Sequence, residues 1–515
     1  FGGRTIRGNH HAPAADAPAI PQKSGGAFGI PELMPPIQRQ TIRINLRIQE
    51  IRIKTEGIRM ERNVDLLHGR ILPSLTSLAV PIMATAMVQT AYNLTDMAWV
   101  GRLGSSAVAA VGAAGMYTWL SSGLVAVARM GGQVKTSHAI GEGKLKEAGL
   151  FGAGAIQLTM VLALLFAAAM NIWAQPLIRF FALQDEKTVA DAVSYLRIAC
   201  GLIFFSFLNQ TLTGLYTAAG DSRTPFLANC VGMGANMILD PLMIFGLGPV
   251  PRMEAAGAAI ATVTAQAIVT AVLVFSAGRE RVLFPHIKVF RPAPWKFWKT
   301  IIRIGVPAGV QSMIYCMISM VLTRFVSAWG DQAVAVQRVG SQIESISWTT
   351  ADGFGTAINA FVGQNYGGRK FDRVKKGYMT ASVIVCIWGC ITTAALVFGS
   401  VPIFRLFIQE AEVIPLGADY LRILGYGQMF MCVELMTNGA LSGLGKTFSC
   451  SVISVILTSA RIPMALVLGS LMGLNGIWWA FTISSVVKGI VFFFFYLAVL
   501  GRLQKENAVP ARDSF

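Results

Sequence analysis

LPSLTSLAVPIMATAMVQTAYNLTDMAWVG, residues 72–101, decides how the whole chain is read. Nearly every side chain in it suits hydrocarbon, and as a helix it is long enough to cross the roughly 30 Å apolar core of a bilayer. Near its end stands Asp96. An ionisable group at the middle of a spanning helix costs roughly 2.5–3.5 kcal/mol even on the lenient insertion scale. Gln89, Asn93 and Asp96 fall at i, i+4 and i+7, which is one face of a helix. The stretch therefore predicts a spanning helix whose polar stripe faces protein or a water-filled cavity rather than lipid.

Similar runs recur to residue 500. Twelve spans are predicted, at 72–98, 106–132, 149–174, 190–217, 223–248, 256–278, 299–327, 332–362, 377–404, 414–442, 447–471 and 475–500. Of 515 residues, 54% are apolar and 13% charged, against about 25% charged in an ordinary soluble domain. No room remains for a large soluble domain, and the expected class is an all-α polytopic membrane protein. The formal charge is +17, but the Lys and Arg collect between the apolar runs instead of interleaving with aromatics on one face, which argues against nucleic acid as a partner. All seven cysteines lie in apolar segments and imply no disulfide framework.

Residues 1–59 differ from the rest, with GNHHAPAADAPAIPQ followed by the alternating TIRINLRIQEIRIKTEGIRM. We read them as a disordered or non-native extension, with Met60 as the biological start. The remaining organisation is an N-lobe at 60–278, a basic linker at 279–298, a C-lobe at 299–500 and a tail at 501–515. One set of connections holds QVKTSHAIGEGKLKEAG, GDSRTP, GRERVLFPHIKVFRPAPWKFWK, GGRKFDRVKKG and GLGKT, and is several-fold richer in cations than the other. The excess of Lys and Arg predicts those loops, the linker and both termini on the cytoplasmic side of the membrane.

The two halves repeat. LAVPIMATAMVQ at residue 78 answers IGVPAGVQSMIY at 304, matching Pro81 to Pro307, and RLGSSAVAAVG answers AWGDQAVAVQRVG. MGGQVKTSHAIGEGKLKEAG answers FVGQNYGGRKFDRVKKG, and TGLYTAAGDSRTP answers NGALSGLGKTFSC. Six spans separate equivalent positions, so both halves enter the membrane in the same sense. Such parallel repeats are related by an axis along the membrane normal, and transporters built this way carry their sites near mid-membrane.

The polar stripes are concentrated in the first half. Span 5 places Asn229, Asn236 and Asp240 on one face, span 6 adds Thr262 and Gln266, and span 4 adds Asn209. Pro241 removes a backbone N–H and predicts a bend that opens room beside Asp240. A carboxylate in such a cavity can exchange protons near neutral pH or hold a sodium ion, with Asp96 the candidate for either. Reciprocal coupling between such an ion and a cargo is what an antiporter requires.

The second half departs from this pattern. The repeat sets Leu322 opposite Asp96 and a position near Pro463 opposite Asp240. It carries Arg338 and Glu344 on span 8, Glu434 on span 10 and Arg461 on span 11, with Glu434 expected to pair with Arg461 or Arg338. Met313, Met317 and Met320 form a stripe on span 7, suited to core packing or to the pliable wall of a cavity.

VPIMATAMVQTAYNLTDMAWVGRLG, GDSRTPFLANCVGMGANMILDPLMIFGLG, GAAIAT and FVGQNYGG resemble the multidrug and toxic compound extrusion (MATE) transporters, from about residue 60 to 505. NLTD on span 1 with NMILDP on span 5 resembles the DinF-like branch. The resemblance implies twelve helices in two six-helix lobes and efflux of small organic cations or amphiphilic drugs in exchange for H+ or Na+, by a monomer needing no other cofactor. It makes Asp96 the cation-coupling carboxylate, and Asn236 and Asp240 the amide and carboxylate of the N-lobe cavity. Thr262 matches the hydroxyl on span 6, and Asn209 the position on span 4. The NorM-like branch has a glutamate on span 7 where this chain has Tyr315, which favours proton coupling through the N-lobe.

Two other classes compete. A lipid or lipid-linked-sugar flippase of the same superfamily would line its cavity with cations for a pyrophosphate, whereas the stripes here are acidic. An intramembrane enzyme would need a nucleophile or metal site, yet His10, His11, His68, His138 and His286 all lie outside the predicted spans, and no HExxH or GxSxG occurs. Only a paired-aspartyl mechanism through Asp96 and Asp240 stays conceivable for such an enzyme. A receptor would have no obvious use for duplicated halves.

Overall fold

Hydrocarbon offers a backbone N–H or C=O no partner, and a helix satisfies each one within its own segment. The computed structural model describes residues 64–181, 185–246, 251–407 and 412–508, and among them there are helices and connections but no strand. The segment before Met60 lies outside the described residues.

Twelve spans result among the described residues. They are α1 Ile71–Gly101, α2 Ser105–Gly141, α3 Leu145–Ile172, α4 Glu186–Gly201 with Phe204–Ala218, α5 Arg223–Phe245 and α6 Glu254–Ala277 in the first lobe. The second lobe holds α7 Trp295–Ser327, α8 Asp331–Gly367, α9 Phe371–Phe398, α10 Ile414–Gly425 with Gln428–Gly443, α11 Thr447–Ser459 with Arg461–Met472, and α12 Leu474–Ala508.

The breaks inside α4, α10 and α11 were not legible in the apolar pattern, which continues across them. The two halves of α4 bend by 41°. By length and apolarity nine helices qualify as spans among the described residues, or ten with α4 counted once. Those left out are α8 and α10, whose polar groups are used inside the bundle. α2 and α8 also outrun their predicted ends, reaching Gly141 and Gly367, because hydropathy marks where lipid stops and not where backbone hydrogen bonding does. α12 likewise continues into the predicted tail, as far as Ala508. α5 runs unbroken through Pro241.

The repeat is visible in the boundaries. α2, α3 and the short helix Ala174–Arg179 recur as α8, α9 and Ser400–Arg405, with the same lengths. Gly104 and Gly330 turn the corresponding corners with φ of 111° and 98°, backbone that a side chain would strain. α1 packs on α5 of its own lobe and on α8 and α9 of the other, while α7 packs on α11 of its own lobe and on α2 and α3 of the other. Each lobe's first helix thus begins in its neighbour's core. Leu75 is fully buried among α8, α9 and α10, and Ile301, its counterpart by the Pro81–Pro307 match, is fully buried among α2, α3 and α4.

The basic linker is shorter than predicted, since α7 starts at Trp295, and it is tied down. The Gln157 amide of α3 donates to the carbonyls of Val289 and Arg291, both at 2.7 Å, and accepts from the Ala293 N–H at 3.0 Å.

Candidate functional site

The first lobe collects its polar groups around two acids. Asp240 on α5 is fully buried and Asp96 on α1 partly so. Asn236, one turn before Asp240, donates its amide to one carboxylate oxygen at 3.2 Å, and the other oxygen has no hydrogen-bond partner. Asp96 also leaves a buried oxygen without a donor. The two carboxylates lie within Coulombic reach of each other, and Tyr92 and Tyr195 lie within reach of both. Among the described residues neither acid makes an ion pair within 4 Å. Two unneutralised acids in contact with each other's field favour the uptake of a proton or small cation.

α6 extends the site as a ladder. Thr262 accepts from the Tyr92 hydroxyl at 3.1 Å. One turn on, the Gln266 backbone and side-chain oxygens accept from the Asn209 amide at 2.9 and 2.8 Å. Thr270, a turn further, donates to Asn209 at 2.7 Å. Asn209 and Gln266 are therefore a clamp between α4 and α6, joined to the acids through Thr262 and Tyr92.

On α1, Gln89 and Asn93 are exposed, and the Gln89 amide donates to the Asn93 side-chain oxygen at 3.5 Å. Other expectations need correction. Asn229 donates back to Pro225 within its own helix. Glu434 pairs with neither arginine: Lys488 of α12 donates to it at 2.7 Å, both side chains being nearly inaccessible. Lys488 stands alone in SSVVKGIVFFFF, and a lone cation in an apolar run was the available signal. Tyr315 and Met317 on α7 are exposed, while Met313 packs against Gly123 of α2.

Sequence reasoning also passed over Asp352 on α8. It is exposed halfway along its helix, yet within Coulombic reach of Arg129 on α2 of the other lobe, so it faces the space between lobes.

The lobes meet closely at one end. There the His138 ring donates to the Gly443 carbonyl and the Gln364 amide to the Ala218 carbonyl, both at 2.7 Å. A Cβ on Gly141 would stand 1.9 Å from the Gln364 oxygen, and one on Gly367 2.1 Å from the His138 oxygen. At the other end of α2, Gly112 and Gly115 face open space. The lobes are locked together where α1 begins. Residues 65–69 cross the locked end: Asn365, Lys370 and Arg373 donate to the Leu66 and Leu67 carbonyls at 3.0–3.2 Å, and Arg373 also to the Gly69 carbonyl.

Two parallel six-helix lobes, one enclosing paired acids without counterions, define a multi-pass membrane transporter rather than an enzyme. The family model described as MatE matches residues 81–242 and again 307–467, once in each lobe, and the chain belongs to that family. It is 27% identical over 448 residues to a probable multidrug resistance protein NorM of Thermotoga maritima, covering 86% of this chain and 95% of that protein. It is 24% identical over 440 residues to a FAD transporter of Shewanella oneidensis, covering 83% and 95%. A solved MATE family transporter of the MOP superfamily, in an outward-facing conformation, superposes with a TM-score of 0.80 at 24% identity, covering 86% of this chain and 99% of that one.

Proposed function

We propose that the protein exports small organic cations or amphiphilic drugs across the cell (inner) membrane by proton antiport, with Asp96 and Asp240 as the ion-coupling groups. The observation that carries this reading is the pair of neighbouring acids with an orphan oxygen each and no ion pair within 4 Å among the described residues. Loading a proton removes their repulsion and changes which donors α1 and α5 engage, and the preferred packing of α1, α5 and α6 changes with it. Cargo and proton then compete through one equilibrium, which is sufficient for exchange. The relatives named for multidrug resistance support the cargo class.

Topology completes the reading. The cation-rich connections lie at the locked end, and an excess of Lys and Arg marks a cytoplasmic face, so the locked end is the cytoplasmic one. One chain holds both lobes, and a monomer suffices. The resemblance of NLTD and NMILDP to the DinF-like branch supports coupling through the first lobe, and Tyr315 in place of a glutamate favours protons over sodium. A flippase for an anionic lipid-linked sugar remains the alternative.

Export of a fluorescent cation from proteoliposomes, under a pH gradient and a sodium gradient imposed separately, tests the proposal. Export driven by the pH gradient alone is expected; export driven only by sodium, or no cation export at all, would overturn it.

A further inference from the structure

The second lobe also holds a half-buried acid that makes no ion pair within 4 Å among the described residues. One carboxylate oxygen of Glu344 on α8 accepts from the Tyr420 hydroxyl at 3.2 Å, and the other from the Gln428 amide at 2.5 Å. Tyr420 belongs to the first half of α10 and Gln428 to the second, so the carboxylate bridges the break at Tyr426 and Gly427. Tyr420 and Gln428 are almost wholly buried.

The charges around it are accounted for. Arg461, at the break in α11, lies within Coulombic reach, but its guanidinium donates to Ser484 and Ser485 at 3.1 Å and sits over the Phe481 ring. Among the described residues it has no carboxylate within 4 Å. Lys488 is committed to Glu434. Tyr315 of α7 reaches Tyr420, and Arg338 lies exposed on α8 itself. Glu344 therefore has donors but no ion partner, like Asp96 and Asp240.

The repeat makes this more than a local coincidence. Tyr195 and Tyr420 occupy the same place in the shared YLRI of α4 and α10. Tyr195 is faced by Asp96 and Asp240, and Tyr420 by Glu344. Yet the repeat sets Leu322 opposite Asp96 and Thr118 opposite Glu344. Each lobe points an acid at the equivalent tyrosine from a helix that the duplication does not relate, so the second acid was not inherited from the first.

We propose that Glu344 is a second proton-binding site, which loads and unloads during transport and controls the hinge at Tyr426 and Gly427. When ionised, it accepts two hydrogen bonds and holds the halves of α10 together. When it takes a proton from water its new O–H must donate, and the Gln428 side-chain oxygen, buried and without a partner, becomes its acceptor once that amide turns over. The contact with Gln428 is then a neutral hydrogen bond of opposite sense, about half as strong as the charge-assisted one it replaces, and the tie between the two halves of α10 is loosened. Discharge returns the proton to water.

This rests on the exporter reading, and its test separates the two. Infrared difference spectra of the purified full chain between acid and alkaline pH follow the carboxyl C=O stretch without any transport. Glu344→Gln, which keeps the acceptor for Tyr420, is expected to remove one titrating component, Asp96→Asn a different one, and Tyr420→Phe to shift the Glu344 component. In proteoliposomes Glu344→Gln is expected to lower gradient-driven export by at least about fivefold, with cargo–cargo exchange unchanged. A titrating band that Glu344→Gln leaves intact overturns the proposal, as does unchanged gradient-driven export by a variant that has lost the band. Loss of the band in a chain that exports no cation would instead sink the exporter reading and leave the proton site standing.

Discussion

Gln133 and Asn359 stand 226 positions apart, at equivalent places in the two repeats, and they meet: the Gln133 amide donates to the Asn359 side-chain oxygen at 3.2 Å. Contact between equivalent residues places them on the pseudo-twofold axis. On either side, the His138–Gly443 and Gln364–Ala218 bonds exchange under the same operation. The locked end is thus one symmetric seam, and opening it breaks all three bonds.

Replacing Gln133 by Leu leaves the Asn359 oxygen without its donor in a site where both residues are nearly inaccessible. An orphaned buried polar group costs ~1–3 kcal/mol, which should lower the locked population by roughly tenfold. Spin labels at the ends of α2 and α8 would report a larger fraction of long distances. An unchanged distance distribution would remove the axial bond from the seam.

Gly367→Ala should act on the same seam sterically. Its Cβ meets backbone that cannot yield, so the ends of α2 and α8 must separate. Gly112→Ala, which faces open space, provides the control. Equal label distances in the two variants would show that the seam is looser than described.

Asp96→Asn should abolish pH-driven export while the protein still folds and inserts, because an amide keeps the shape and loses the titration. Asp240→Asn should weaken cargo binding as well, since it also alters the contact with Asn236. Fluorescent-cation binding and proteoliposome export, measured on both variants, separate the two effects. Full gradient-driven export by Asp96→Asn would exclude that residue from coupling.

Glu434 and Lys488 should matter to stability rather than coupling. Glu434→Gln strands a buried ammonium, and breaking a buried pair from one side costs about 3–5 kcal/mol. Glu434→Leu combined with Lys488→Met should recover most of that in a thermal unfolding assay in detergent. If the single variant melts like the parent, the pair contributes nothing.

Asp65 gives a pH dependence outside the membrane. Burial raises its pKa, but the His68 and Leu67 N–H groups and the His68 ring together outweigh burial and hold it below the ordinary 3.8. A depressed acid stabilises above its unfolded value and loses that contribution as pH falls through the folded one. The amides of Leu67 and His68 should therefore keep their exchange protection across neutral pH and lose it only in acid below about 3.8. Loss well above 3.8 would exclude Asp65 as the group responsible.

The helix count, the duplication and the acids of the first lobe were legible because lipid leaves few options. An apolar run of spanning length has to be a helix, and a carboxylate inside one has to face protein. That logic found Asp96, Asp240, Asn236 and Glu344. It failed for Glu434, whose partner is Lys488 of α12 and neither Arg461 nor Arg338.

By itself the sequence determined an all-helical membrane protein of two parallel halves with acids in the first, since those features follow from local polarity, length and repetition. Tertiary structure decided that α1 and α7 begin in each other's lobe, that the halves lock at one end through Gln133 and Asn359, and that Glu344 spans the broken α10. Each of these depends on contacts between residues far apart along the chain, which hydrocarbon, indifferent to which helix meets which, does not encode in any single span.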